Sequence, residues 1–231
     1  LRLDILSQWK HLPKLIEPNE STLVVLDTSG SMGVAVGKDS QTSALTVATS
    51  LAIYCAEALT GTYKDKVITF SSSPKYIDLS DCDTVIEKVE RISNYCLLEN
   101  TDIEKTFDLI LTTALQNNLE QNELPRNILI LSDMEFDEAR VRYPRIERQT
   151  LFDTISAKFQ KYGYIMPHLI FWNICGETNT IPDHGEHVSL ISGFSPNAMK
   201  VALSGKGDNW EQLKTVLDSP RYEGVCYLPS N

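Results

Sequence analysis

No stretch of this sequence approaches the ~20 consecutive apolar residues needed to cross a bilayer, although 42% of its 231 residues are hydrophobic. Leu1 to Lys10 carry neither a charged region followed by an apolar run nor a small-residue cleavage site. A soluble chain with no membrane partner is expected. Cysteine is scarce and odd in number: Cys55, Cys82, Cys96, Cys175 and Cys226 fall at irregular spacing with no C-x-x-C pair. That pattern argues against a disulfide framework and against a zinc cluster, and reduced thiols in a cytoplasmic setting fit it best. Positive charge is also short. Lys and Arg number 21 against 31 Asp and Glu, a formal charge of -10, so the surface as a whole repels phosphate backbones. The one basic cluster, Arg140, Arg142, Arg145 and Arg148, is interleaved with Glu138 and Glu147 and reads as a solvated face.

What the sequence does contain is alternation of strand and helix. Ser21 to Leu26 (STLVVL) is a β-branched and aliphatic run without polar alternation, as in a strand buried on both faces of a parallel sheet. A Gly- and Ser-rich turn, Thr28 to Lys38, leads into a helix over about Thr42 to Leu59, stopped by Gly61. Strands are expected over Lys66 to Phe70, Pro74 to Leu79, Asn127 to Leu131, Pro167 to Asn173 and His187 to Ser192. Helices are expected over Thr84 to Ile92, Asp102 to Leu115, Arg145 to Tyr162, Ser195 to Leu203 and Trp210 to Asp218. At this length one buried core is expected, built as a Rossmann-like, doubly wound α/β sheet whose sites lie at the carboxyl ends of its strands.

Oxygen-bearing residues collect at those ends: Asp27, Ser29 and Ser31 after the first strand, Thr101 before the long helix, and Asp133 after the NILIL strand. Mg²⁺ prefers about six oxygens in octahedral array and keeps several waters. In D-x-S-x-S, a tight turn lets alternate side chains point to one side, so a carboxylate and both hydroxyls share an ion while Thr28 and Met32 face away. Asp27 and Asp133 only neutralise a divalent charge, which leaves the ion electrophilic and its open position suited to an anionic oxygen.

LVVLDTSGSM resembles the metal-ion-dependent adhesion site of von Willebrand factor type A (vWA) domains, with Thr101 and Asp133 where that family's second and third metal loops fall. KVITFSSSP, ENTDIEKTFDLIL, LSDMEFDEA, FWN and SGFSPNAMK resemble a family known only as a domain of unknown function, itself similar to the A domain of Ro (TROVE) ribonucleoproteins. The likeness covers roughly residues 21 to 203. It implies a vWA-like domain over residues 21–231, with residues 1–20 an N-terminal extension and remnant of an upstream helical region. An electrophilic ion without a positioned base or nucleophile binds anions and does not turn them over, so a non-enzymatic interaction module is expected. Mg²⁺ or Mn²⁺, rather than Ca²⁺, would be presented to an Asp or Glu of a protein partner or neighbouring domain. RNA would associate only indirectly, because the helical ring that binds it in Ro proteins is missing.

Blander and rival assignments attach to the same residues. Ser29 or Ser31 caps a turn, Thr101 with Glu104 forms a capping box, and Ser132 with Glu135 forms another. Ser29-Gly30-Ser31-Met32-Gly33 imitates a nucleophile elbow, and Asp133 and His168 follow in the order of a serine hydrolase, although that fold places several strands before its elbow. Asp27-Thr28 lacks the Gly of an aspartic protease and the second acid of a phosphoaspartate enzyme. Asp183, His184, Glu186 and His187 read as a solvated loop before a zinc site. Cys175 has no neighbouring base and reads as an inert thiol.

Overall fold

The computed structural model describes residues 2–13, 21–36, 40–95, 102–133, 145–175 and 188–193, together with Lys214 and Asp218. Its strands are β1 (Thr22–Asp27), β2 (Lys66–Phe70), β3 (Tyr76–Asp78), β4 (Asn127–Ser132), β5 (His168–Asn173) and β6 (Val188–Ser192). They form one sheet in the order β3-β2-β1-β4-β5-β6. Every pairing is parallel except that of β3 with β2. The runs TLVVLD and NILILS are buried at every position, as strands covered on both faces must be.

The described helices are α1 (Arg2–Lys10), α2 (Ala44–Ala58), α3 (Val85–Ser93), α4 (Ile103–Gln116) and α5 (Arg145–Lys161). Successive strand side chains go to opposite faces, and the two cores follow that alternation. Val24, Leu26, Leu129, Leu131, Ile170 and Trp172 pack with Ala48, Ala52 and Cys55 of α2 and Ile92 of α3. Leu23, Val25, Ile128, Ile130, Leu169 and Phe171 pack with Phe107 and Ile110 of α4 and Ile155 and Phe159 of α5. This is the doubly wound sheet expected from the sequence. From β1 the chain builds outward through β2 and β3, then returns to the other side of β1 at β4, aligned Leu26 to Leu131. The strand order therefore reverses between β1 and β4, where such sheets open a crevice.

Boundaries differ from expectation by a residue or two. β1 runs through Asp27, so this carboxylate ends the strand, and the third strand shrinks to Tyr76–Asp78. Gly61, expected to stop α2, takes φ 65°, a left-handed conformation that glycine adopts without a Cβ clash. Helix α1 has no counterpart among the expected elements. It is tied down by tertiary contacts: Trp9 Nε1 donates to Glu57 Oε2 at 3.0 Å, and Tyr54 donates to the Pro13 carbonyl at 2.7 Å. No described helix is long and apolar enough to cross a membrane. The helix expected over Ser195 to Leu203 lies outside the described residues, as does that over Trp210 to Asp218 apart from Lys214 and Asp218.

Candidate metal centre

The carboxyl ends of β1 and β4 bring Asp27, Ser132 and Asp133 together at the switch point. Asp27 is 2% exposed, Asp133 5% and Ser132 fully buried. Ser132 Oγ donates to Asp27 Oδ2 at 2.7 Å across the strand pair, and the Ser29 backbone N–H donates to Asp27 Oδ1 at 2.9 Å. After Asp27 the chain turns through a short 3-10 helix, Gly30–Gly33. Met32, within it, is fully buried and packs in the core on the α2 face of the sheet, and Thr28 is also buried. Ser29 and Ser31 remain half-buried, with their hydroxyl oxygens 3.0 Å apart.

The turn-cap alternative for Ser29 does not hold. It occupies the N-cap position of the 3-10 helix but makes no side-chain cap bond; its hydroxyl pairs with that of Ser31 and bonds to Asp27. The capping box expected of Thr101 and Glu104 is also corrected: the cap of α4 is Asp102, whose carboxylate accepts from Lys105 N–H at 3.0 Å. An Asp at the cap competes with the Thr before it, and the carboxylate is the better acceptor for an N–H. Thr101 itself lies outside the described residues, as does Glu135. Ser132, matched with Glu135 as a cap, ends a strand and gives its proton to Asp27.

Burial pushes the Asp27 carboxyl above its ordinary range. Hydrogen bonds from Ser132 and Ser29 pull it back, and the negative charge of Asp133 adds to the upward push. Among the described residues no cationic side chain forms an ion pair with Asp27. The Lys105 ammonium, at the start of α4, goes to the Ser72 carbonyl at 2.9 Å and to Asp102 at 3.4 Å. Two buried carboxylates and a hydroxyl pair are hard oxygen donors, the set that suits Mg²⁺ or Mn²⁺ and not a soft metal. Among the described residues no group of three or more His, Cys, Asp or Glu could hold a metal, so any site here depends on hydroxyls as well as carboxylates.

The hydrolase arrangement comes apart. His168 opens β5 beside Asn127, whereas Ser132 is aligned with Asn173 at the other end of the same pair. Five residues at about 3.3 Å each put His168 roughly 16 Å along the strand from the Asp133 end. Its Nε2 lies 2.8 Å from Ser189 Oγ. Asp183, His184, Glu186 and His187 lie outside the described residues, as do the side chains of the arginine cluster. Cys175 follows β5 half-buried, with its N–H given to Asn173 Oδ1 at 3.0 Å. Two polar residues of this end were not singled out as site residues by the sequence: Ser132, and the fully buried Asn173 aligned with it. Their only signal is position at the end of a buried apolar strand.

A mostly parallel sheet wound on both faces by helices defines a doubly wound α/β fold. The fold is similar to that in the crystal structure of the Deinococcus radiodurans Ro (RSR) protein, with a TM-score of 0.55 at 16% identity over 85% of this chain and 36% of that one. The chain belongs to the family described as Domain of unknown function (DUF7788), matched over residues 21–222. It is 27% identical over 209 residues to the uncharacterized protein L728 of Acanthamoeba polyphaga mimivirus, covering 88% of this chain and 34% of that protein. The chain thus spans about a third of the length of both relatives.

Proposed function

We propose that this domain holds Mg²⁺ or Mn²⁺ at the β1–β4 switch point and presents it to an Asp or Glu of a partner protein or a neighbouring domain. Ser29, Ser31 and Thr101 would be direct ligands, with Asp27 and Asp133 contributing directly or through water. One observation carries this reading: two buried carboxylates at adjacent strand ends, beside paired serine hydroxyls, in a place where burial already makes the Asp27 charge unfavourable. A buried anion needs compensation, and a divalent ion supplies it. When bound, the ion offers an electrophilic coordination position to an anionic oxygen.

We read the site as one for binding: His168, which a hydrolase would need as its base, is aligned with Asn127 at the opening end of β5, five positions from the Ser132–Asn173 pair. Association with RNA has the fold likeness to a Ro protein in its favour and the formal charge of -10 against it. Filter binding to structured and single-stranded RNA at low salt separates that alternative from a protein-binding module. The metal reading itself is tested by isothermal calorimetry with Mg²⁺ and Mn²⁺. Wild type is expected to bind and Asp27→Ala to lose binding; equal binding by both would remove the reading.

A further inference from the structure

Resting on the metal reading above, we propose that Ser132 is a positioning residue of the centre, holding the Asp27 carboxylate in the orientation in which it serves the ion. The geometry is specific. Ser132 is 0% exposed, so no bulk water competes for its proton, and that proton goes to Asp27 Oδ2 at 2.7 Å. This is short enough for a charge-assisted O–H···O bond. The other carboxylate oxygen, Oδ1, takes the Ser29 N–H at 2.9 Å. Each oxygen therefore has a fixed donor, the Ser132 hydroxyl on one and the Ser29 backbone on the other, which together set the plane of the carboxylate, and the Ser29 hydroxyl bonds to it as well. An ionised carboxyl has about four acceptor positions, so room remains for an ion or one of its waters.

Ser132 is itself held by backbone that cannot easily move. It pairs with Asn173 of β5, and its carbonyl accepts the Ile174 N–H at 3.1 Å. Its hydroxyl thus ties the end of β1, from which the turn with Ser29 and Ser31 departs, to the end of β4, which Asp133 follows. Fully buried, it acts through Asp27 and not on the ion. Outer partners of this kind fix the orientation of ligating side chains and commonly change metal affinity by about 10–100-fold when removed. A purely structural hydroxyl would behave otherwise: its loss would lower the unfolding temperature of the metal-free protein and leave the affinity of the folded protein alone.

The test uses the full chain and Mn²⁺, with the free ion counted by electron paramagnetic resonance and folding checked by circular dichroism. Ser132→Ala is expected to fold and to bind Mn²⁺ about 10–100-fold more weakly. Ser132→Thr, which keeps the hydroxyl, is expected to bind within about threefold of wild type; the alanine variant decides alone if the added methyl prevents folding. Should Ser132→Ala bind like wild type while Asp27→Ala has lost the ion, the positioning role is wrong and the metal reading stands. A folded threonine variant as weak as alanine overturns it too. Wild-type affinity in Asp27→Ala would remove the metal reading and this inference with it.

Discussion

Asp27 carries a charge at a place where the fold makes charge expensive. A carboxyl whose folded value is raised above its ordinary 3.8 is destabilising when ionised. That cost is absent below the ordinary value and grows as pH rises through the raised one. Asp27→Asn keeps the shape and removes the charge, so the metal-free variant is expected to melt higher than metal-free wild type at neutral pH, with the gap closing on acidification. Each kcal/mol is worth roughly 2–4 °C in a domain of this size, within reach of scanning calorimetry. A variant melting lower than wild type at pH 7 would mean that the ionised form is well compensated. Saturating Mg²⁺ should reverse the order. An ion at about a hundredfold its dissociation constant adds about 2.7 kcal/mol, or roughly 5–10 °C, to wild type and nothing to the variant.

Elements were legible where burial is symmetrical. TLVVL and NILIL announce strands because both of their faces are covered, and the helix carrying Phe107, Ile110 and Ala114 announces itself by one apolar face. Boundaries were less legible because neighbouring residues compete for one role, as Thr101 and Asp102 do for the cap of α4. Asp102→Ala is therefore expected to cost about 0.5–2 kcal/mol in urea unfolding; no change would return the cap to another residue. Helix α1 was illegible because its apolar residues do not form one stripe. Leu3 is 81% exposed and Ile5 44%, while Leu6 and Trp9 pack against the core. The role of Ser132 was illegible for another reason: its partner, Asp27, is 105 positions away in sequence, where no local pattern connects them. The α4–α5 layer depends on Phe107, which is 0% exposed and meets Phe159 edge-on at a centroid distance of 6.1 Å. Phe107→Ala is expected to cost about 3–5 kcal/mol. A loss under 1 kcal/mol would show that the layer closes around the cavity.

At the scale of the whole molecule, topology does what no single segment can. The order β3-β2-β1-β4-β5-β6 sets the first strand beside the fourth, so loops far apart in sequence meet at one crevice. An ion–carboxylate contact there would dominate a small interface, as buried hot spots do. Capture of a partner from native lysate is accordingly expected to collapse with chelator and to recover with added Mg²⁺. Capture indifferent to chelator would leave the domain a structural module. The central claim, that an ion sits between the ends of β1 and β4, is tested most directly by crystals soaked in Mn²⁺ and measured on both sides of the Mn absorption edge. The account predicts one anomalous peak within bonding distance of the Ser29 and Ser31 hydroxyl oxygens, absent from Asp27→Ala crystals. No peak there, or a peak only at the His184–His187 segment, would contradict it.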